Sequence, residues 1–153
     1  MKATENTEGT ENRMEGQIGF SSSVPSMSSV AIDRDALTHA VIGAAIEVHR
    51  LLGPGLLESI YEEALCHEFG LRGLLFERQK PVDVIYKDIV ITGQRLDLLV
   101  EGVLVVEIKS VIKLPDVAMA QTLSYLRATG LKRALLVNFG ERLLKEGIKR
   151  ISL

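Results

Sequence analysis

The sequence predicts an α/β domain, a mixed β-sheet flanked by α-helices, behind a polar leader. Three observations predict it. Apolar residues recur at helical spacing before Gly70 and again after Pro115. Between those stretches the pattern shortens to an alternation, with turn signals around it. The run VLVVEIK is apolar on both faces, as a central strand should be, and RALLVN reads as a second buried strand.

Residues 1–30 read as a disordered leader outside the fold. Glu, Thr, Asn, Gly and then Ser dominate it, without sustained apolar periodicity. Met14 and Met27 lie there as candidate native starts, which N-terminal sequencing would test. The domain is expected over residues 31–153. Asp33 or Asp35 can cap a helix to about Leu52, with Leu37, Val41, Ala44, Ala45, Val48 and Leu52 on one side. Gly53-Pro54-Gly55 stops it. A second helix follows from Leu56 to Phe69, striped by Leu57, Ile60, Ala64 and Leu65 and ended by Gly70.

Gln79–Tyr86 is a strand with Val82, Val84 and Tyr86 on one face, and Lys87-Asp88 turns it into Ile89–Ile91. Thr92-Gly93 breaks that run. Arg95–Val100 and Val103–Lys109 are the next strands. Pro115-Asp116 opens a third helix, ended after Thr129 by Gly130, and Arg133–Asn138 is a strand. Strand, helix and strand in this order imply a right-handed parallel crossover. Glu141–Lys145 is expected to form a helical turn and Ile148–Ile151 a short edge strand. No internal repeat is visible.

The chain is 46% hydrophobic and 25% charged, ordinary for one globular domain. Its formal charge of −2 demands no polyanionic partner. Lys2 and Arg13 against Glu5, Glu8, Glu11 and Glu15 place that −2 in the leader, so the domain is neutral. From Lys132 on, Lys132, Arg133, Arg142, Lys145, Lys149 and Arg150 face Glu141 and Glu146, a net of +4 that can meet phosphates or simply be solvated. The one cysteine, Cys66, reads as a buried small residue in a reducing compartment. No apolar run reaches the ~18 residues of a membrane span, and the N-terminus lacks a secretory signal. A cytoplasmic protein is expected.

Chemistry is suggested by RLDLLVEGVLVVEIKS, Arg95–Ser110. Charged residues are costly within apolar strands unless paired or bound to metal. Glu107 and Lys109 are two apart and share a face. Whether Asp97 joins them depends on the turn. A two-residue turn at Glu101-Gly102 pairs Val100 with Val103 and points Asp97 away from Glu107. A three-residue loop, Glu101–Val103, pairs Val100 with Leu104 and Asp97 with Glu107. In that register two carboxylates favour a shared proton or a cation, and oxygen ligands favour Mg²⁺ or Mn²⁺ over zinc. The Ile108 carbonyl offers a third ligand, and Lys109 can orient a metal-activated water. The alternative is a buried ion pair of Lys109 with Glu107 or Asp97.

Glu58 and Tyr61, three apart in GLLESIY, are neighbours on a helix face, and Glu58 suits the helix N-terminus. Glu62 reads as solvated. Gln121 and Tyr125, at i and i+4, share a face of the third helix, where they can hold a water or a phosphate; a core aromatic is the plainer reading of Tyr125. His49 favours a capping or packing role, with an approach to the site beside Glu58 as the alternative. His39 and His67 read as helix-surface residues. No P-loop, dinucleotide fingerprint or zinc spacing appears.

Taken together, GPGLLESIY, RLDLLVEGVLVVEIKSV, AQTLSYLRATG and LLVNFGERLLKEGIKRI resemble the GxxExxY proteins of the PD-(D/E)XK nuclease-like superfamily, over about residues 34–152. Gly55, Glu58 and Tyr61 stand at the naming motif. The resemblance implies a restriction-endonuclease-like core. It makes Asp97, Glu107 and Lys109 the acid and Glu-x-Lys positions, Glu58 the helix-borne acid, and Gln121 and Tyr125 a QxxxY pair. It also draws His49 toward function. The family's third helix is expected to carry a histidine before its AQ, where Ala118 and Met119 stand here. The function implied is a Mg²⁺- or Mn²⁺-dependent nuclease acting on DNA or RNA, with Asp97, Glu107, Ile108 and Glu58 around the metal. The alternative is a catalytically silent or partner-dependent binding module of the same fold. A homodimer or a protein partner is compatible with so small a core.

Overall fold

The computed structural model describes residues 33–153; the predicted leader, residues 1–30, lies outside them. The chain falls into two units, Met1–Leu37 and Thr38–Leu153. All that follows concerns the second, apart from the first turn of α1.

Helix α1 spans Arg34–Leu52. Its start is capped as expected, the Ala36 N–H donating to Asp33 Oδ1 at 2.8 Å. Val41, Ala44, Ala45 and Val48 are its buried stripe. Helix α2 spans Glu58–Leu71. It runs through Gly70, which was expected to end it. Gly70 keeps an ordinary φ, and the left-handed turn falls at Gly73, φ +73°.

The sheet has five strands in the order β1-β2-β3-β4-β5: β1 Phe76–Tyr86, β2 Ile89–Val100, β3 Leu104–Lys109, β4 Arg133–Asn138 and β5 Ile148–Ser152. Strands β3 and β4 pair in parallel through the crossover helix α3, Asp116–Thr129, and the other neighbours are antiparallel. Gly130, φ +75°, closes α3 as expected. β3 is central and buried apart from Lys109. A 3₁₀ turn at Leu144–Gly147 replaces the helical turn expected at Glu141–Lys145. The mixed sheet with its three helices is the α/β architecture predicted.

One expectation is corrected in the long hairpin. Thr92-Gly93 does not break β2 but bulges it, the register shifting between Val82↔Gln94 and Val84↔Ile91. Two residues, Thr92 and Gly93 (φ +111°), thus oppose Asp83. The strand continues to the turn at Lys87-Asp88. Val82 lies in the core with Leu96, Leu99, Val105, Tyr125 and Leu126. Val84 and Tyr86, on its face of β1, are exposed. Among the described residues no helix is long and apolar enough to cross a membrane.

Candidate active site

The register of β2 against β3 decides where Asp97 points. Leu98 pairs with Val106, Leu99 with Val105 and Val100 with Leu104. This is the three-residue loop. Its turn places both Glu101 (φ +52°) and Gly102 (φ +71°) in the left-handed region and is closed by the Val103 N–H donating to the Val100 carbonyl at 3.1 Å. A tertiary contact holds a non-glycine residue there. The Glu101 N–H donates to the Leu75 carbonyl (2.9 Å), and the Leu75 N–H donates back to Glu101 Oε2 (2.8 Å).

Beyond Leu98↔Val106 the two acids take over the pairing. The Asp97 N–H donates to Glu107 Oε2 at 2.7 Å, and the Ile108 N–H donates to Asp97 Oδ2 at 2.8 Å. Each carboxylate therefore closes a main-chain bond of the opposite strand. Glu107 is only 3% exposed. Burial, reinforced by the charge of Asp97, pushes its carboxyl up to about 8. Burial also raises Asp97, and the Glu62 charge adds to it, while the Ile108 N–H acts against the rise.

Lys109, at the end of β3, directs its ammonium toward Gln121 Oε1 of α3, at 3.5 Å. One turn along α3, Tyr125 is buried. Burial and then the charges of Glu107 and Asp97 raise its hydroxyl above the usual tyrosine range. Asp97, Glu107, Ile108, Lys109, Gln121 and Tyr125 thus gather where β2, β3 and α3 meet. Glu58, exposed in the first turn of α2, joins Ser59, Glu62, Gln79, Asp97 and Ile108 in lining a cleft of about 280 Å³. Its charge is felt at Glu107. Among the described residues no three His, Cys, Asp or Glu side chains form a closed metal cage.

Glu62 corrects the reading of a solvated side chain. It accepts from Arg78 Nη2 at 2.9 Å and from Gln79 Nε2 at 2.6 Å, with its side chain only 12% exposed. Its spacing of four from Glu58 was the available signal. Gln79 was missed as a site residue. It holds φ +49° in the middle of β1, a costly conformation for a non-glycine residue, and also reaches Asp97 Oδ1 at 3.4 Å.

Tyr61 and His49 work outside the cleft. The Tyr61 hydroxyl donates to the Gly53 carbonyl (2.5 Å) and accepts from the Leu56 N–H (3.1 Å), which ties down the GPG loop ahead of Glu58. Its ring stacks on Phe139 at 4.4 Å. His49 Nε2 bonds the Glu141 carbonyl at 2.7 Å and its ring also lies beside Phe139, the packing role favoured for it. Asn138 was missed. Fully buried, it accepts from the Val111 and Gly140 N–H groups (both 3.0 Å) and donates to the Val111 carbonyl (2.9 Å). With the Phe139 N–H on the Lys109 carbonyl (2.8 Å), it fixes the backbone just past Lys109. Cys66 is buried, and burial raises its thiol to about 11.

The model of one family, the PD-(D/E)XK nuclease superfamily, matches residues 35–151. No curated protein and no solved structure matches the chain.

Proposed function

Because the chain belongs to the PD-(D/E)XK nuclease superfamily, we propose that it hydrolyses phosphodiester bonds in nucleic acid with Mg²⁺ or Mn²⁺. Nucleases of this superfamily generally use divalent metals. The donor set suits such an ion, since it is made of oxygens alone, and two buried carboxylates forced toward protonation are relieved by a cation. Asp97 Oδ1 and Glu107 Oε1, the oxygens that accept no main-chain N–H, would hold it, with the Ile108 carbonyl as third ligand and Glu58 as the outer acid. When bound, the ion would lower the pKa of a water and screen the phosphate. Lys109 orients the attacking water, Gln121 steadies the Lys109 ammonium, and Tyr125 positions the substrate phosphate. The narrower likeness to GxxExxY proteins rests on Gly55, Glu58 and Tyr61. For these we infer one shared task, setting the loop that presents Glu58.

The observation that carries the proposal is the reciprocal bonding of Asp97 and Glu107, with Lys109 on the same strand as Glu107. Nicking of plasmid and of single-stranded DNA and RNA tests it. The wild-type chain should cleave in Mg²⁺ or Mn²⁺ and stop with chelator. Asp97→Asn and Lys109→Ala should each lose about 100-fold or more. Equal activity in wild type and variants means contamination and sinks the reading.

The neutral charge of the domain favours a second reading, a binding module that is silent or needs a partner. Calorimetry separates the two: a folded chain that takes up neither ion at millimolar concentration is the module. We also infer a cytoplasmic setting from the lone, unreactive thiol; cell fractionation of the full chain checks it.

A further inference from the structure

The end of the long hairpin stands apart from the rest of the sheet. β2 pairs with β3 only over Leu98–Val100, so from Ile89 to Gln94 its one neighbour is β1. There Ile85 is 72% exposed, Val90 60% and Tyr86 58%, with Val84, Ile89 and Ile91 exposed as well. Six large apolar side chains on a two-stranded ribbon are far more than scattered surface residues. A bare two-stranded hairpin is marginal in water.

The edge of β1 shows what can cover it. Tyr86 and Ile89 flank a two-residue turn and so form a hydrogen-bonded pair, facing each other across the ribbon. The alternate residues, Asp83 and Ile85, then turn their N–H and C=O to the open edge. Pro81 has the same parity, so its missing N–H costs the β1–β2 ladder nothing. The outer edge of β2 is blunted by the Thr92-Gly93 bulge, whereas β1 runs unbulged from Val82 to Tyr86.

The charges on this edge are self-complementary. Asp83 and Lys87 lie two residues either side of Ile85. In an antiparallel pairing centred on Ile85, the Asp83 of each copy meets the Lys87 of the other, and Val84 meets Tyr86. Among the described residues neither Asp83 nor Lys87 is in an ion pair. A two-fold axis requires such a pattern of self-matching. At roughly 150–250 Å² for a fully bared large side chain, the six residues expose on the order of 600 Å² per copy. Edge pairing covers only part of that area, chiefly Val84, Ile85 and Tyr86 of β1, so the main-chain hydrogen bonds along the joined edges carry much of the pairing. We propose that two copies of this chain join by antiparallel β1–β1 pairing about Ile85, continuing the sheet across the pair. The proposal is independent of any nuclease activity.

Sedimentation velocity of the full chain over a concentration series tests it, with circular dichroism as the control for folding. The wild type should dimerise with a measurable Kd. Ile85→Lys, which sets like charges on the axis, should leave a folded monomer. Asp83→Lys and Lys87→Asp should each raise the Kd about tenfold or more, and the double exchange should return it to within about threefold of wild type. A wild type that stays monomeric at about 100 µM overturns the proposal and leaves the hairpin to another partner. A dimer indifferent to Ile85→Lys, or a double exchange no better than the singles, overturns it too.

Discussion

The two ends of β2 are built from similar residues and lie in opposite surroundings. Leu96, Leu98, Leu99 and Val100 are buried, Leu98–Val100 paired with β3 and Leu96 and Leu99 packed with Tyr125 and Leu126 of α3. Ile89, Val90 and Ile91, equally apolar and equally β-prone, are exposed. What differs is the neighbours: the inner half has a strand on each edge and a helix over it, and the outer half has β1 alone. Burial stabilises a strand only where another element supplies the covering surface. The acid pair stands at this border, where β2 leaves β3.

The largest loss is expected in the covered core, away from the hairpin. Phe139 is fully buried, stacked on Tyr61 and beside His49. Phe139→Ala should cost about 3–5 kcal/mol in denaturant unfolding. Next comes pH in the metal-free protein. The Glu107 carboxyl lies near 4.5 when unfolded and near 8 when folded. Its contribution is therefore complete below about pH 4.5 and lost as pH rises through about 8, on the order of a few kcal/mol. Glu107→Gln should flatten that decline, and a decline unchanged by the substitution would place its source elsewhere. By the same linkage, metal affinity measured by calorimetry should rise up to about tenfold per pH unit below pH 8. An affinity flat from pH 6 to 8 would disconnect this carboxyl from the ion.

A smaller loss is expected at the loop before Glu58. Tyr61→Phe removes the hydroxyl shared by the Gly53 carbonyl and the Leu56 N–H and should cost about 1–3 kcal/mol. Amide exchange at Leu56 should speed up with it. The smallest effect belongs to the exposed half. Val90→Thr should change the unfolding free energy of the monomeric Ile85→Lys chain by less than about 0.5 kcal/mol. A loss as large as that of Phe139→Ala would show that the tip is packed.

Much of this was legible in the residues, and the exceptions have causes. The apolar run of β3 placed it at the centre of the sheet, and the strand–helix–strand order gave its parallel partner β4. The meeting of Asp97 with Glu107 was legible only as one of two registers, because local turn chemistry permits both. Glu101 bonding Leu75 from another element goes with the one observed. Glu62 was misread because its partners, Arg78 and Gln79, come from β1. Gln79 carries no mark of its left-handed backbone, which a glycine or asparagine would have suggested. Asn138 looked like the end of a strand, and its service to Val111 needs the fold to be seen.

The interlocked carboxylates have a practical consequence for anyone seeking an inert form of the protein. Asp97 and Glu107 each clasp the other strand's main chain, so an alanine in either place would undo a clasp as well as a proposed metal ligand. Asparagine and glutamine offer the same amide a neutral oxygen in trade for the charge, and so separate loss of chemistry from loss of shape.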